Sequence, residues 1–155
     1  MDTLDQEILQ ALAADARVPL SRIAKDLGVA NATVHQRFQR LRDKGILQGF
    51  RISLDFDKIG LPVSALISLS LLNDAVKCDA ADELKRNPFI QSCASVTGEF
   101  DLLMTIRARS SEHLGTILDD IRSLAHGNTR TLVVLSTHFE ADHGALLKTL
   151  DAGDN

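Results

Sequence analysis

Apolar residues recur at helical spacing along the first part of the chain. Leu4, Ile8, Leu9 and Leu12 share one face of a helix predicted from about Thr3 to Ala14. Val18-Pro19 breaks it, and Ser21 is positioned to start or cap a second helix ending at Leu27-Gly28, with Ile23, Ala24 and Leu27 on its apolar side. A third helix is predicted from near Asn31 to Lys44. Its Val34, Phe38 and Leu41 follow i, i+4, i+7 and must face a core, and Gly45 supplies a stop. The period then falls to two. From Leu47 to Asp55, Phe50, Ile52 and Leu54 alternate with polar residues, as in a half-buried strand. Three helices and a strand make a winged helix-turn-helix, and Lys58 to Pro62 follows as a linker.

The remainder reads as β-α-β-β-α-β. Strands are predicted at Val63 to Leu72, Ile90 to Val96, Asp101 to Ala108 and Thr129 to Thr137. A helix over about Asp79 to Arg86 ends at Asn87-Pro88. A second, capped by Ser110-Ser111, carries an apolar stripe of Leu114, Ile117, Leu118, Ile121 and Leu124 and ends at Gly127-Asn128. Thr97 to Phe100 is a turn between the second and third strands. This order is the ferredoxin-like pattern. In the first of these strands Val63, Ala65, Ile67, Leu69 and Leu71 should pack on the helices. The opposite face, with Ser64, Leu66, Ser68, Ser70 and Leu72, suits a surface covered by another subunit; a solvated face is the alternative. A last helix is predicted over about Asp142 to Leu150, before a frayed DAGDN tail. The fold class is therefore α+β. Its parts are a helix-turn-helix at 1–50, a linker strand and hinge at 51–62, a ferredoxin-like domain at 63–140, and a C-terminal helix and tail at 141–155.

Charge changes the picture more than composition does. With 45% hydrophobic and 25% charged residues the chain is ordinary for a globular protein, although it has no Trp or Tyr and six Phe. The formal net charge is −4, yet residues 17–51 carry eight basic and two acidic groups. A local positive field of this kind suits a DNA-facing surface on an otherwise acidic protein. No apolar run approaches a membrane span, and MDTLDQEILQ lacks the features of a signal peptide. Cys78 and Cys93 have no paired motif and read as buried thiols in a reducing cytosol. His138, Glu140, Asp142 and His143 are the sole metal-like cluster, with spacing that matches no closed site, so neither a metal nor another cofactor is expected. Nucleophile elbow, Walker loop and HExxH motifs are missing, and no catalytic residue is assigned.

The segments LDQEIL (Leu4 to Leu9), IAKDLGV (Ile23 to Val29), TVHQRFQRLRDKGIL (Thr33 to Leu47), GEFDLLMTIRA (Gly98 to Ala108) and NTRTLVVLS (Asn128 to Ser136) occur in an informative order. In them the chain resembles the Lrp/AsnC, or feast/famine, family of transcription regulators over about residues 4–140. The resemblance implies a helix-turn-helix joined by a strand to a ferredoxin-like effector domain that dimerises through its sheet and often assembles to octamers. It implies a cytoplasmic, nucleoid-associated protein that binds an amino acid or related metabolite near the turn between strands two and three. Here that turn is Gly98-Glu99-Phe100-Asp101, with Ser136 and Thr137 as further pocket candidates; an ordinary hairpin with solvated charges is the bland alternative. Two departures stand out. Relatives often begin the recognition helix with Ser, where this chain has Ala30 before Asn31; an Asn31 N-cap would shift the start by one residue. Leu132 stands where relatives often carry an aromatic residue.

A helix pair of this kind places its second helix in the major groove of double-stranded DNA, and a dimer would read a pseudo-palindromic site. With Val34, Phe38 and Leu41 inward, Ala32, Gln36, Gln39, Arg40 and Asp43 point outward, flanked by Thr33 and Arg37. Asn31, Thr33 and Gln36 are the candidate base readers. Arg37 and Arg40 would position the helix on the backbone or reach a guanine, with Arg22 and Lys25 as further phosphate contacts. The alternative for Arg37 is an ion pair within the domain, with Asp26 or Glu7. Rival functions are an enzyme resembling siroheme decarboxylases, which share both domains, and a metabolite-binding oligomer without DNA binding. The enzyme is disfavoured because strands two and three contain no His and only Arg107 as a cation.

Overall fold

The computed structural model describes residues 1–71, 77–125 and 127–150, leaving aside the side chains of 77–79 and 125. The chain divides into two compact units, Met1–Ile52 with Phe139–Asn155, and Ser53–His138. The helical unit contains α1 (Thr3–Ala14), α2 (Leu20–Asp26), α3 (Asn31–Asp43) and, from the end of the chain, α6 (His143–Leu147). The expected faces are the buried ones. Ile8, Leu9, Leu12, Ile23, Ala24, Val34 and Leu41 form the core, with Leu4, Leu27, Phe38 and Leu147 packed around it. Each fully buried aliphatic side chain contributes about 1.5–3 kcal/mol, so this small core depends on α1, α2 and α3, which supply all of its buried members.

α1 and α3 begin where expected, at Thr3 and Asn31, but the caps of α2 and α3 differ from the sequence reading. Pro19, not Ser21, precedes α2; its carbonyl accepts from the N–H of Arg22 at 2.8 Å and of Ile23 at 3.2 Å. The N-cap of α3 is Ala30, so Asn31 is the first helical residue rather than the cap. The reason is local: Val29 donates back to the Ala24 carbonyl at 3.0 Å, closing the turn at Gly28 (φ 67°), and the chain is already extended at Ala30. Gly28 supplies a left-handed conformation that residues with a Cβ avoid.

The expected strand at 47–55 is not formed. Phe50, Ile52 and Leu54 are 51%, 81% and 46% exposed, and no ladder partner pairs with them among the described residues. Alternation supplies an apolar face, but a strand also requires a neighbouring backbone to bond. The following residues form a turn instead, with Leu61 donating to the Phe56 carbonyl at 2.8 Å.

The second unit holds β1 (Val63–Leu71), α4 (Lys77–Leu84), β2 (Ile90–Ser95), β3 (Leu102–Ala108), α5 (Ser111–Ala125) and β4 (Gly127–Val133). The strands form an antiparallel sheet in the order β2-β3-β1-β4. Ala65, Ile67 and Leu69 of β1 and Leu102, Met104, Ile106 and Ala108 of β3 pack on Ala80 and Leu84 of α4 and on Leu114, Ile117 and Ile121 of α5. On the other sheet face Leu66, Leu103 and Leu132 are 36%, 42% and 60% exposed. Leu124, expected in the α5 stripe, is 41% exposed near the end of that helix. Cys93 is exposed rather than buried, because β2 is an edge strand of which only Ile90 is half-buried. The expected continuation of β1 to Leu72, the side chain of Cys78 and the DAGDN tail lie outside the described residues.

Candidate nucleic-acid interface and effector turn

α3 presents two kinds of surface. Asn31, Ala32, His35, Gln36 and Gln39 are exposed, while Thr33 is half-buried on the flank shared with Arg37. Gln39 donates to Asp43 at 2.8 Å, which leaves Asn31, Ala32, His35 and Gln36 as an open N-terminal patch. On α2, Arg22 forms an exposed i,i+4 pair with Asp26 at 2.9 Å, weak enough to open in favour of another anion. Lys25, Arg42 and Lys44 are exposed and have no carboxylate partner among the described residues. Arg42 stands 6.0 Å over the Phe38 ring, and it was not among the sequence-derived contacts.

Arg37 and Arg40 are engaged within the unit. Arg37 bonds Asp2 closely and lies 3.4 Å from Asp5; Arg40 bonds Asp5 closely and lies 3.6 Å from Asp2. The partners expected for Arg37, Asp26 and Glu7, are therefore replaced by Asp2 and Asp5. The cause is burial. Asp5 is only 2% exposed, and a carboxylate withdrawn from water requires opposite charge where it sits. Asp2 and Asp5 also form a capping box at the start of α1: the Asp5 N–H donates to the Asp2 carboxylate at 3.0 Å, and the Asp2 N–H donates to Asp5 at 3.3 Å. The Asp5 N–H, above all, holds the Asp2 carboxyl below its ordinary range, with Arg37 and Arg40 adding to it against a desolvation cost. The Asp2 hydrogen bond in turn raises the Arg37 guanidinium. One signal for this cluster is in the sequence: carboxylates three apart at 2 and 5, and arginines three apart at 37 and 40.

In the other unit, the turn after β2 is anchored to the end of β1. Val96 donates to the Asp101 carbonyl at 3.0 Å, and Asp101 donates to the Leu69 carbonyl at 2.9 Å. The Asp101 carboxylate accepts from the Leu71 N–H at 2.8 Å, and the Ser70 hydroxyl donates to the Glu99 carbonyl at 3.2 Å. Gly98 has φ 114° and open space where a side chain would stand. Glu99 is exposed, Phe100 and Asp101 half-buried. The turn is thus held by its backbone and by Asp101, with the Glu99 carboxylate left facing water.

Ser136 and Thr137 lie elsewhere. β4 ends at Val133, earlier than expected, so both residues follow the strand and are exposed. Val133 pairs with Ala65, whereas Leu69 pairs with Leu102 beside the turn. Ala65 and Leu69 are about 13 Å apart at strand rise, and the two candidate sets lie beyond them toward opposite ends of β1, so one chain does not bring them together. Asp142, from the metal-like cluster, caps α6 by accepting from the Ala145 N–H at 3.0 Å. Among the described residues no His, Cys, Asp and Glu side chains gather as a group of three or more able to hold a metal. A groove of about 400 Å³ between α5 and Asn87 to Phe89 was not foreseen; it sits at the end of β2 remote from the Gly98 turn. Its His113 is built into the fold: the ring packs edge-on to Phe89 at 4.4 Å and accepts from the Arg109 N–H at 3.1 Å. No described helix is long and apolar enough to cross a membrane.

Comparison with known proteins agrees with both units. Residues 1–42 match the AsnC-type helix-turn-helix domain, and residues 64–143 match the Lrp/AsnC ligand binding domain. The HTH-type transcriptional regulator FL11 of Pyrococcus horikoshii is 33% identical, over 90% of this chain and 93% of the relative. HTH-type transcriptional regulator LrpA of Mycobacterium tuberculosis is 30% identical over the same shares. Among solved structures, a feast or famine regulatory protein from M. tuberculosis complexed with L-methionine superposes with a TM-score of 0.85 at 30% identity, covering 90% of this chain and 95% of that one. AsnC of E. coli gives 0.86 at 27%, covering 93% and 98%. The chain belongs to the Lrp/AsnC family of transcriptional regulators, with a DNA-binding helix-turn-helix and a ligand-binding domain.

Proposed function

We propose that this regulator reads DNA with the N-terminal turn of α3 and that an amino acid changes its DNA affinity or its assembly. The observation that carries the DNA reading is the open patch at Asn31, Ala32 and Gln36, together with the exposed Lys25 of α2, which has no carboxylate partner among the described residues. Asn31, Gln36 and, at the flank, Thr33 offer side-chain amides and a hydroxyl to base edges; Ala32 admits a close approach or a thymine methyl. Lys25, and Arg22 once released from Asp26, hold phosphates. Two copies related by a two-fold axis would present two such helices to a pseudo-palindromic duplex, the sheet face around Leu66, Leu103 and Leu132 supplying their contact and larger assemblies building on that dimer.

The effector reading rests on the Gly98 to Asp101 turn, and the methionine complex of the M. tuberculosis structural neighbour supports an amino acid as its class. Backbone groups at Gly98 and the exposed Glu99 carboxylate suit an amino acid's carboxylate and ammonium groups. Because Ser136 and Thr137 are at the other end of β1, they join such a site only from a different subunit. A ligand that binds one assembly or conformation better shifts the population toward it and so alters DNA affinity. A thermal-shift screen of the common amino acids, followed by DNA titration with any hit, tests this. A hit is expected to raise the melting temperature and to change DNA affinity; if no amino acid does either, the effector reading is wrong.

A further inference from the structure

We propose that Asp2 and Asp5 are positioning residues for DNA recognition, holding Arg37 and Arg40 against the start of α1 so that the two arginines orient α3 and stay off the phosphates. This rests on the reading of α3 as the DNA-reading helix. Each arginine touches both carboxylates, with the longer contacts at 3.4 and 3.6 Å, so the four groups form one cross-link between α1 and the middle of α3. The core residues Val34 and Leu41 pin α3 along a single line, about which a helix can still roll. The ionic contacts are on the flank of that line and oppose the roll. Asn31 and Gln36 are both exposed, about 140° apart around the helix, so a change in roll alters which of them meets a base edge.

A phosphate offers an arginine the same forked contact as a carboxylate. Here one guanidinium nitrogen of each arginine is already engaged by both carboxylates, one of them on a residue only 2% exposed. With two positive and two negative charges, the cluster adds no net charge to the surface that attracts DNA. Phosphate contact falls instead to exposed cations such as Lys25, Arg42 and Lys44.

The test compares the wild-type chain with Lys25→Gln, Arg40→Gln and Asp2→Asn. Each is titrated at several salt concentrations against a duplex that the wild-type chain enriches from a random pool, and against its scrambled counterpart. Lys25→Gln is expected to lower the slope of log affinity on log salt by roughly 0.9 while keeping the preference for the enriched duplex. Arg40→Gln is expected to leave the slope unchanged and reduce the preference about five- to tenfold, the scale of one misplaced base contact. Asp2→Asn keeps a good N-cap and removes the closer partner of Arg37, leaving it only the 3.4 Å contact to Asp5, so the slope should rise by up to about one unit on both duplexes while the preference shrinks. A slope for Arg40→Gln that falls as far as that of Lys25→Gln would place Arg40 on a phosphate and overturn the proposal. So would an Asp2→Asn variant with unchanged slope and preference. If the wild-type chain enriches no duplex at all, the DNA-binding reading itself fails, and the proposal with it.

Discussion

Single groups in this chain carry consequences out of proportion to their size, and Asp2 is one. Its carboxyl is held below the ordinary range mainly by the Asp5 N–H, with Arg37 and Arg40 assisting. The folded value is below the unfolded one, so its stabilising contribution is complete above the unfolded pKa and is lost as pH falls through the folded value. Thermal melts of wild type and Asp2→Asn should therefore differ most at neutral pH and converge below about pH 4. A constant gap down to acid pH would show that Asp2 is not the group responsible. Gly127 is constrained by space rather than charge. A Cβ there would stand 2.5 Å from the Ser70 carbonyl oxygen and 2.8 Å from a Leu69 methyl group. Gly127→Ala must push β4 off β1, at a cost of about 1–3 kcal/mol by urea denaturation.

At the scale of elements, periodicity recovered the helices because each buries one face inside its own unit. Val34 and Leu41 of α3 are buried where i, i+4, i+7 spacing put them, and the open patch opposite them follows from the same geometry. If that patch reads bases, Gln36→Ala should relax discrimination at one position of the site by about 1–3 kcal/mol without altering the salt slope. Equal loss of affinity for every sequence would instead make Gln36 a backbone contact. The segment at 47–55 failed to form its strand for a reason periodicity does not contain. Alternation specifies which side chains share a face, but the hydrogen bonds that make a strand belong to a second backbone. The end of β4 was misjudged for the same reason: Val134 still donates to the Ser64 carbonyl at 2.9 Å, but β1 begins at Val63 and offers no ladder beyond it to Ser136 and Thr137.

On the scale of the whole molecule, one sheet face is covered by α4 and α5 and the other leaves Leu66, Leu103 and Leu132 in water. β1 is central, so this face joins three strands through the pairs Leu66–Leu132 and Ser68–Leu103. If it joins two copies, Leu132→Asp should shift sedimentation toward the single chain at micromolar concentration and weaken binding to a two-half-site duplex. Unchanged sedimentation would move the subunit contact elsewhere.

The sequence by itself determined the order of the helices and of the four sheet strands, most of their apolar faces, the basic segment at 17–51 and the family, because these depend on local spacing and residue type. Only the tertiary structure decided where charges and polar groups find partners. It placed Asp2 and Asp5 under Arg37 and Arg40, tied Asp101 to Leu71, and separated Ser136 and Thr137 from the Gly98 turn. The physical reason is that burial and pairing arise between residues remote in the chain: a buried carboxylate must be neutralised by whatever cation the fold brings to it, and no local pattern records which one that is.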